Sequence, residues 1–366
     1  MSFDTTTSAN RPAWLLPSPA RRDELPADSS LRTLLLRLMR GENLQRVEAR
    51  QLLGALLDGK ATDAQIAAAL VALAVKGETV EELAGMAGAM RERSARITSR
   101  HKVFIDTAGT GSSAVKTFNV STAAAFVIAG AGLPVAKHGS RAATSRSGSA
   151  DVLTKLGVKV DAPAEVSEDS LNQLGICFMF APLYHGATAR VAGVRRELGV
   201  HTTFNLLGPL TNPAGAPRQI IGVWHPALVE PLARTLAALG TERAWVVHGS
   251  DGLDEITLTG KTSVAETMNG EVRRFEIAPE DFGLQSASLE SVRDNDAESG
   301  AAVISSIFSG KRRDAARDLV VINAAAALFI GGAASDFRAA TRLAEASIDS
   351  GAAQSKLEGL IKATNR

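Results

Sequence analysis

Residues 101–132, HKVFIDTAGTGSSAVKTFNVSTAAAFVIAGAG, are where the chain changes its periodicity. The brief apolar run around Ile105 predicts a strand, Gly109-Thr110-Gly111 a turn, and AAAFVIAGAG a buried helix. Upstream, from about 31 to 96, the spacing is helical throughout. Thr62 with Gln65 and Thr79 with Glu82 are capping-box pairs, each placed just before an apolar run (Ile66, Leu70, Leu73; Leu83, Met86, Met90), and Gly77 stops the first of them. Downstream, strand and helix patterns alternate: LPVAKHG then GSADVLTKLG, GICFMFAP then a long stretch to 200, RQIIGVWHP then ALVEPLARTLAALG, and RAWVVHGS. That alternation predicts an α/β fold with a mainly parallel central sheet flanked by helices, preceded by a small all-helical domain. Ligands of such sheets gather beyond the carboxyl ends of the strands.

Composition bounds the rest. At 366 residues the chain suits two domains, and 45% hydrophobic with 22% charged residues is ordinary for a globular protein. A formal net charge of +1 supplies no field for nucleic acid or an anionic membrane, so neither is expected as a partner. The single Cys177 stands in an apolar run and reads as core. Residues 1–30, rich in Pro, Ser and Asp, read as a flexible extension without a secretory signal, which makes the cytoplasm the default location. LVVINAAAALFIGGAA from Leu319 is shorter than a bilayer span and reads as a buried helix carrying Asn323.

Three polar motifs follow predicted strands. In DTAGTGSSAVKTFNVST, Gly109 and Gly111 let the backbone approach a ligand, while Asn119, Ser121 and Thr122 stand where a helix begins with free N–H groups. That combination suits phosphate, although a plain strand-to-helix turn reads the same way. In VAKHGSRAATSRSGSAD, Lys137 and His138 end a strand, and Ser145, Ser147 and Ser149 lie near the next helix start. An anionic guest would explain so many small donors, against the alternative of a solvated basic loop. In HGSDGLDEIT, Asp254 and Glu255 adjoin with Asp251 nearby, which fits Mg²⁺ held through one or two carboxylates or, failing that, a solvated acidic turn.

Taken in order with FMFAPLYHGATARVAGVRRELG, TFNLLGPLTNPAG and RDLVVINAAAALF, these segments resemble the successive signatures of the anthranilate phosphoribosyltransferase family, from about residue 31 to the C-terminus. The resemblance implies a helical domain over 31–100, joined by helices near 190–215, and a phosphoribosyl-pyrophosphate-binding α/β domain over 101–366, commonly in a homodimer paired through the helical parts. It implies Mg²⁺-dependent transfer of phosphoribose from phosphoribosyl pyrophosphate to the amine of anthranilate, a step of tryptophan biosynthesis. Gly109, Ser112, Ser113, Thr117, Asn119, Val120, Ser121, Thr122, Lys137, Ser145 and Ser149 would surround phosphoribosyl pyrophosphate. Ser121, Asp254 and Glu255 would serve magnesium, with Lys137, Asp254 and Glu255 carrying the catalysis. Gly109, His138, Ser140, Arg195 and Pro209 would face anthranilate, the planar fork of Arg195 matching its carboxylate. Arg196 reads as a surface neighbour. His185 is either a pocket wall or a structural histidine, and Pro209 and Asn212 also read as turn chemistry.

The chain departs from the family's common pattern at three places. Ser112-Ser113 stands where GTGGD ends in an acid, Ser140 where KHGN ends in an amide, and His201 where an arginine is common before TTFN. The alternatives are a pyrimidine nucleoside phosphorylase, which shares the architecture and a similar phosphate loop, and a non-catalytic nucleic-acid-binding relative using Lys311-Arg312-Arg313.

Overall fold

The structure is a computed structural model that describes residues 29–111, 113, 115–142, 147–292 and 296–366. Of the extension expected over 1–30, residues 1–28 lie outside these, and Ser29 and Ser30 already belong to the first helix. Four helices come first: α1 Ser29–Met39, α2 Arg46–Leu57, α3 Asp63–Lys76 and α4 Val80–Glu92. Both capping boxes are formed. Thr62 Oγ1 accepts from Gln65 N at 3.3 Å and Gln65 Oε1 from Thr62 N at 2.9 Å, while Thr79 and Glu82 exchange the same pair at 3.2 and 2.8 Å. Gly77 ends α3 at φ +81°, a conformation that costs glycine nothing. Leu52, Leu53, Leu56, Ile66, Leu70 and Leu73 are fully buried among these helices, each contributing about 1.5–3 kcal/mol of apolar burial. α2 and α4 approach so closely that a Cβ on Gly85 would stand 2.1 Å from Arg46 O, so Gly85→Ala would force them apart.

The remaining elements alternate, as expected, up to the fifth strand. They are β1 Ile105–Gly109, α5 Val120–Gly130, β2 Val135–Gly139, α6 Ser149–Lys155, α7 Ala164–Leu174, β3 Ile176–Phe180, α8 Ala181–Tyr184, α9 Ala189–Leu198, α10 Thr203–Leu210, β4 Arg218–Gly222, α11 Val229–Ala238 and β5 Arg243–Gly249. Then come β6 Thr262–Met268, β7 Glu271–Ile277, α12 Ala297–Phe308, α13 Ala315–Ile330, α14 Phe337–Asp349 and α15 Ala352–Thr364. Among the described residues the seven strands form one sheet in the order β3-β2-β1-β4-β5-β6-β7, parallel through β5 and antiparallel beyond. The β6–β7 hairpin was not among the expected strands. Its signal is Asn269-Gly270, whose positive φ values of 53° and 86° suit a two-residue turn matched to strand twist.

Side chains alternate across the sheet. Ile105, Val135, Ile176, Ile220 and Trp245 face a core built on α5 and α13, whereas Ile221, Val223, Ala244 and Val246 face α11 and the N-terminal helices. The run expected to be a buried helix is α13, nearly all of it buried, and Cys177 lies inside β3 at 1% exposure. Among the described residues, no helix is long and apolar enough to cross a membrane.

Candidate active site

Strand order reverses between β1, whose chain continues toward β2 and β3, and β4, which continues toward β5. Ligands favour that point because the loops leaving the two strands part there. Gly109 and Gly222 pair at its upper end. A Cβ on Gly222 would lie 1.6 Å from Asp254 O, so only glycine lets the Asp254-Glu255 segment rest on β4. Asp254 is tied to the loop after β1: its Oδ1 accepts from Ser113 Oγ at 2.7 Å and its Oδ2 from Gly111 N at 3.1 Å. Gly111 has φ +70°, and Lys116 Nζ donates to its carbonyl at 2.9 Å.

Glu255 reaches the start of α5, accepting Ser121 N–H on Oε1 at 3.2 Å. Helix starts carry unpaired N–H groups and a positive dipole end, which favours this carboxylate. Burial, with Asp254 as the second cause, nevertheless pushes Glu255 up to about 8, against the opposing pull of Lys137 and Ser121. Lys137 Nζ donates to Thr107 O at 2.5 Å and lies 3.3 Å from Ser121 Oγ and 3.4 Å from Thr107 Oγ1. Burial lowers the Lys137 ammonium pKa, and the charges of Asp106 and Glu255 oppose that.

The two predicted phosphate loops meet. Asn119 caps the start of α5 and accepts from Ser147 Oγ at 3.0 Å on its Oδ1, linking α5 to the start of α6. Val120 and Thr122 are buried in the first turn, and the Thr122 hydroxyl has no partner among the described residues. Thr117 Oγ1 donates to Phe118 O at 3.2 Å. Ser149 Oγ lies 3.4 Å from Ser140 O, while Ser140 itself is exposed. A Cβ on Gly139 would meet Ser149 Oγ at 2.1 Å. Ser112 and Ser145 lie outside the described residues. Asp251 turns away from the other acids and accepts from the hydroxyls of Thr257 and Thr259 at 2.8 and 2.9 Å, so it fixes its own turn.

Successive residues of β2 point to opposite faces of the sheet, so Lys137 faces α5 and His138 the other side. There the His138 ring lies against the Gly208 backbone of α10 and 5.0 Å from the His185 ring. Burial holds both imidazoles neutral, bringing His138 to about 3 and His185 to about 4. His138 Nε2 and both His185 ring nitrogens have no well-formed hydrogen-bond partner among the described residues. Buried Pro209 follows Gly208 in the same helix. Half-buried Arg195, on α9, stacks its guanidinium 5.0 Å over the Phe204 ring, and its Nε has no partner among the described residues, while Arg196 is exposed. His201 packs on Trp224 with ring centroids 4.9 Å apart.

Three supporting residues escaped the sequence reading. Asp106 and Thr107 sit inside β1, where a charged side chain within an apolar strand was the available signal. Asn323 of α13 grips Ile256, next to Glu255; its polarity inside a buried helix was noted, but its partner is distant in sequence.

Comparison with known proteins agrees with the two-part fold. The helical bundle domain of the glycosyl transferase family matches residues 32–94, and its a/b domain matches residues 101–354. An anthranilate phosphoribosyltransferase of Moorella thermoacetica is 49% identical over 331 residues, covering 90% of this chain and 97% of the relative. The chain belongs to the anthranilate phosphoribosyltransferase family. A second family member, from Anaeromyxobacter dehalogenans, is 52% identical over 330 residues, covering 90% of this chain and 97% of its own. The crystal structure of the Thermus thermophilus anthranilate phosphoribosyltransferase superposes with a TM-score of 0.86 at 39% identity, over 91% of this chain and 99% of that one. The Saccharomyces cerevisiae anthranilate phosphoribosyltransferase, solved with phosphoribosyl pyrophosphate and magnesium, gives 0.82 at 28% identity, over 93% and 99%.

The residues present fit magnesium. Carboxylate and hydroxyl oxygens are the hard donors the ion takes, and half-buried Glu255, beside Asp254, has its carboxyl pushed up to about 8, a charge that a cation would favour.

Proposed function

We propose that this member of the family transfers the 5-phosphoribosyl group of phosphoribosyl pyrophosphate to the amine of anthranilate, giving N-(5-phosphoribosyl)anthranilate and pyrophosphate. The observation that carries the reading is the chain of contacts from Lys137 to Ser121 Oγ and from Ser121 N to Glu255 at the sheet's reversal point. It brings a cation, a helix start and paired acids to one spot, as a departing diphosphate requires.

In this reading the aromatic amine, already neutral at pH 7, forms a bond to ribose C1 from the face opposite the pyrophosphate. The C1–O bond breaks with its electron pair leaving on pyrophosphate, and the amine gives up one proton to solvent. The sugar passes through an oxocarbenium-like state with inversion, as in glycoside cleavage. Ser121, Asp254 and Glu255 would hold magnesium, which when bound offsets charge on the diphosphate. The α5 start with Gly109, Ser113, Thr117, Asn119, Val120, Ser121 and Thr122, together with Lys137 and Ser149, would bind the donor; Ser112 and Ser145 belong to the same proposed set. Arg195 would pair the anthranilate carboxylate, with Gly109, His138, Ser140 and Pro209 around the ring and His185 as a wall. Positioning supplies much of the remaining acceleration.

Residues 31–100 with the helices near 190–215 would act as the helical domain and 101–366 as the donor-binding domain. A homodimer through the helical part is supported by Met39 on α1 and Val71 and Val75 on α3, which stand 50%, 42% and 83% exposed. The near-zero net charge argues against a nucleic-acid partner, and a biosynthetic role supports a cytoplasmic location. The test is loss of anthranilate fluorescence with protein, magnesium and phosphoribosyl pyrophosphate. A flat trace from folded protein would defeat the reading, and release of base from a pyrimidine nucleoside with inorganic phosphate would replace it.

A further inference from the structure

β1 pairs with β4 along its whole length, through five residue pairs, but with β2 only at Ile105–Val135. Beyond that point, polar side chains take up the backbone groups that a continued ladder would have used. The His138 N–H donates to Asp106 Oδ1 at 3.1 Å. The Thr107 carbonyl accepts from Lys137 Nζ at 2.5 Å, and the Ala136 carbonyl accepts from Asn212 Nδ2 at 2.8 Å. Buried backbone groups need partners, so an opening inside a sheet persists only where side chains supply them. The opening is therefore built from Asp106, Lys137 and Asn212.

Asp106 is the costly member of this set. It is fully buried, and its second oxygen has no well-formed partner among the described residues, although the Asn212 amide and the Lys137 charge stand beside it. Isolated buried carboxylates are expensive, and an apolar residue with a continued strand ladder would be the cheaper core. The Asp106 carboxylate instead grips the peptide joining Lys137 to His138, and these two residues project to opposite faces. Lys137 points to Ser121 and the acids, His138 to His185 and α10. That peptide is the pivot between the diphosphate side and the ring side of the site.

We propose that Asp106 is a positioning residue for phosphoribosyl transfer: by holding the Lys137–His138 peptide across the opening between β1 and β2, it fixes the ring-facing histidine relative to the leaving-group-facing lysine. The proposal rests on the functional reading above. Asp106 touches neither substrate in this arrangement and acts through the His138 N–H and through its charge next to Lys137.

The test compares Asp106→Ala and Asp106→Asn with the unaltered protein, measuring kcat, both KM values, anthranilate binding by fluorescence, and the unfolding temperature. Asp106→Asn keeps an oxygen for the His138 N–H but removes the charge next to Lys137. It should leave the anthranilate KM and dissociation constant near normal while kcat falls about tenfold to a hundredfold. Asp106→Ala removes both and should also raise the anthranilate KM and dissociation constant about tenfold. A role in stability alone would lower the unfolding temperature in both variants while the folded fraction kept normal KM and kcat, and that result would overturn the proposal. Should Asp106→Ala fail to fold, the Asn variant decides: a normal KM with reduced kcat supports the role, and unchanged constants reject it. Unaltered protein that folds but consumes no anthranilate would instead overturn the functional reading, a failure visible before any substitution is made.

Discussion

Asn323 holds the Ile256 peptide at both ends, its Oδ1 accepting the Ile256 N–H at 3.0 Å and its Nδ2 donating to the Ile256 carbonyl at 2.9 Å. A third contact, Nδ2 to Leu319 O at 2.9 Å, keeps the side chain seated on its own helix. The preceding residue is Glu255, so the grip transfers the rigidity of α13 to the acidic pair. Asn323→Ala would leave two buried backbone groups unpaired and should cost about 2–4 kcal/mol in denaturant unfolding. It should also weaken the magnesium requirement's saturation by about tenfold. Unchanged stability would mean that the segment finds other partners.

Glu255→Gln separates function from stability. The carboxyl is pushed up to about 8 by burial and by Asp254, so the folded protein gains nothing from its ionised form without a cation. The variant should be as stable as the unaltered protein, or more so by roughly 1–3 kcal/mol at pH 8, while turnover with magnesium falls about a hundredfold. A destabilised variant with normal turnover would contradict both halves of the argument.

Local rules made the helices legible. Thr62 and Thr79 cap as their sequence pattern predicts, because a capping box involves residues only three apart. The strand run at β1 and the glycine turn after it were readable for the same reason. Asp106, Thr107 and Asn323 were not, because their meaning depends on partners 14 to 67 residues away. The same holds for Gly222, whose need to be glycine comes from a loop some thirty residues later in sequence. Asn269-Gly270 is a local signal for the hairpin, but the antiparallel pair it joins lies outside the strand-helix alternation from which the other strands are legible.

Ser113 Oγ donates to Asp254 Oδ1 at 2.7 Å, so the loop meets that carboxylate with a neutral hydroxyl. Ser113→Asp would set a carboxylate against Asp254, and like charges that close disfavour joint ionisation. Without magnesium the variant should lose roughly 1–2 kcal/mol of stability. With magnesium it should saturate at lower metal concentration, a shift readable by titrating the ion in a thermal unfolding assay. Equal metal dependence in both proteins would show that position 113 does not sense the ion.

Arg195→Lys tests the carboxylate pairing. The guanidinium lies over Phe204 and its Nε has no partner among the described residues, a geometry that an ammonium reproduces poorly. The anthranilate KM should rise about tenfold to a hundredfold with the donor KM little changed. An equal rise in both KM values would point to a disturbed α9 instead.

The paired imidazoles make acid sensitivity a second readout of the ring side. His185 is lowered from its ordinary 6.5 to about 4 by burial, so between these values the unfolded chain binds a proton that the folded protein refuses. Stability therefore falls as pH drops through that window, the reverse of a histidine that gains an acidic partner. His138, lowered to about 3, acts in the same direction, whereas Asp106, raised to about 6, takes up its proton below that value in the folded state while the unfolded chain's carboxyl is still ionised, and so acts oppositely. These contributions partly cancel in the unaltered protein, so the difference from His185→Gln is the informative quantity. The variant's stability relative to the unaltered protein should improve by roughly 3 kcal/mol on going from pH 6.5 to 4. Parallel stability curves would mean that His185 is protonated equally in both states, and its burial against His138 would then have to be relaxed in solution.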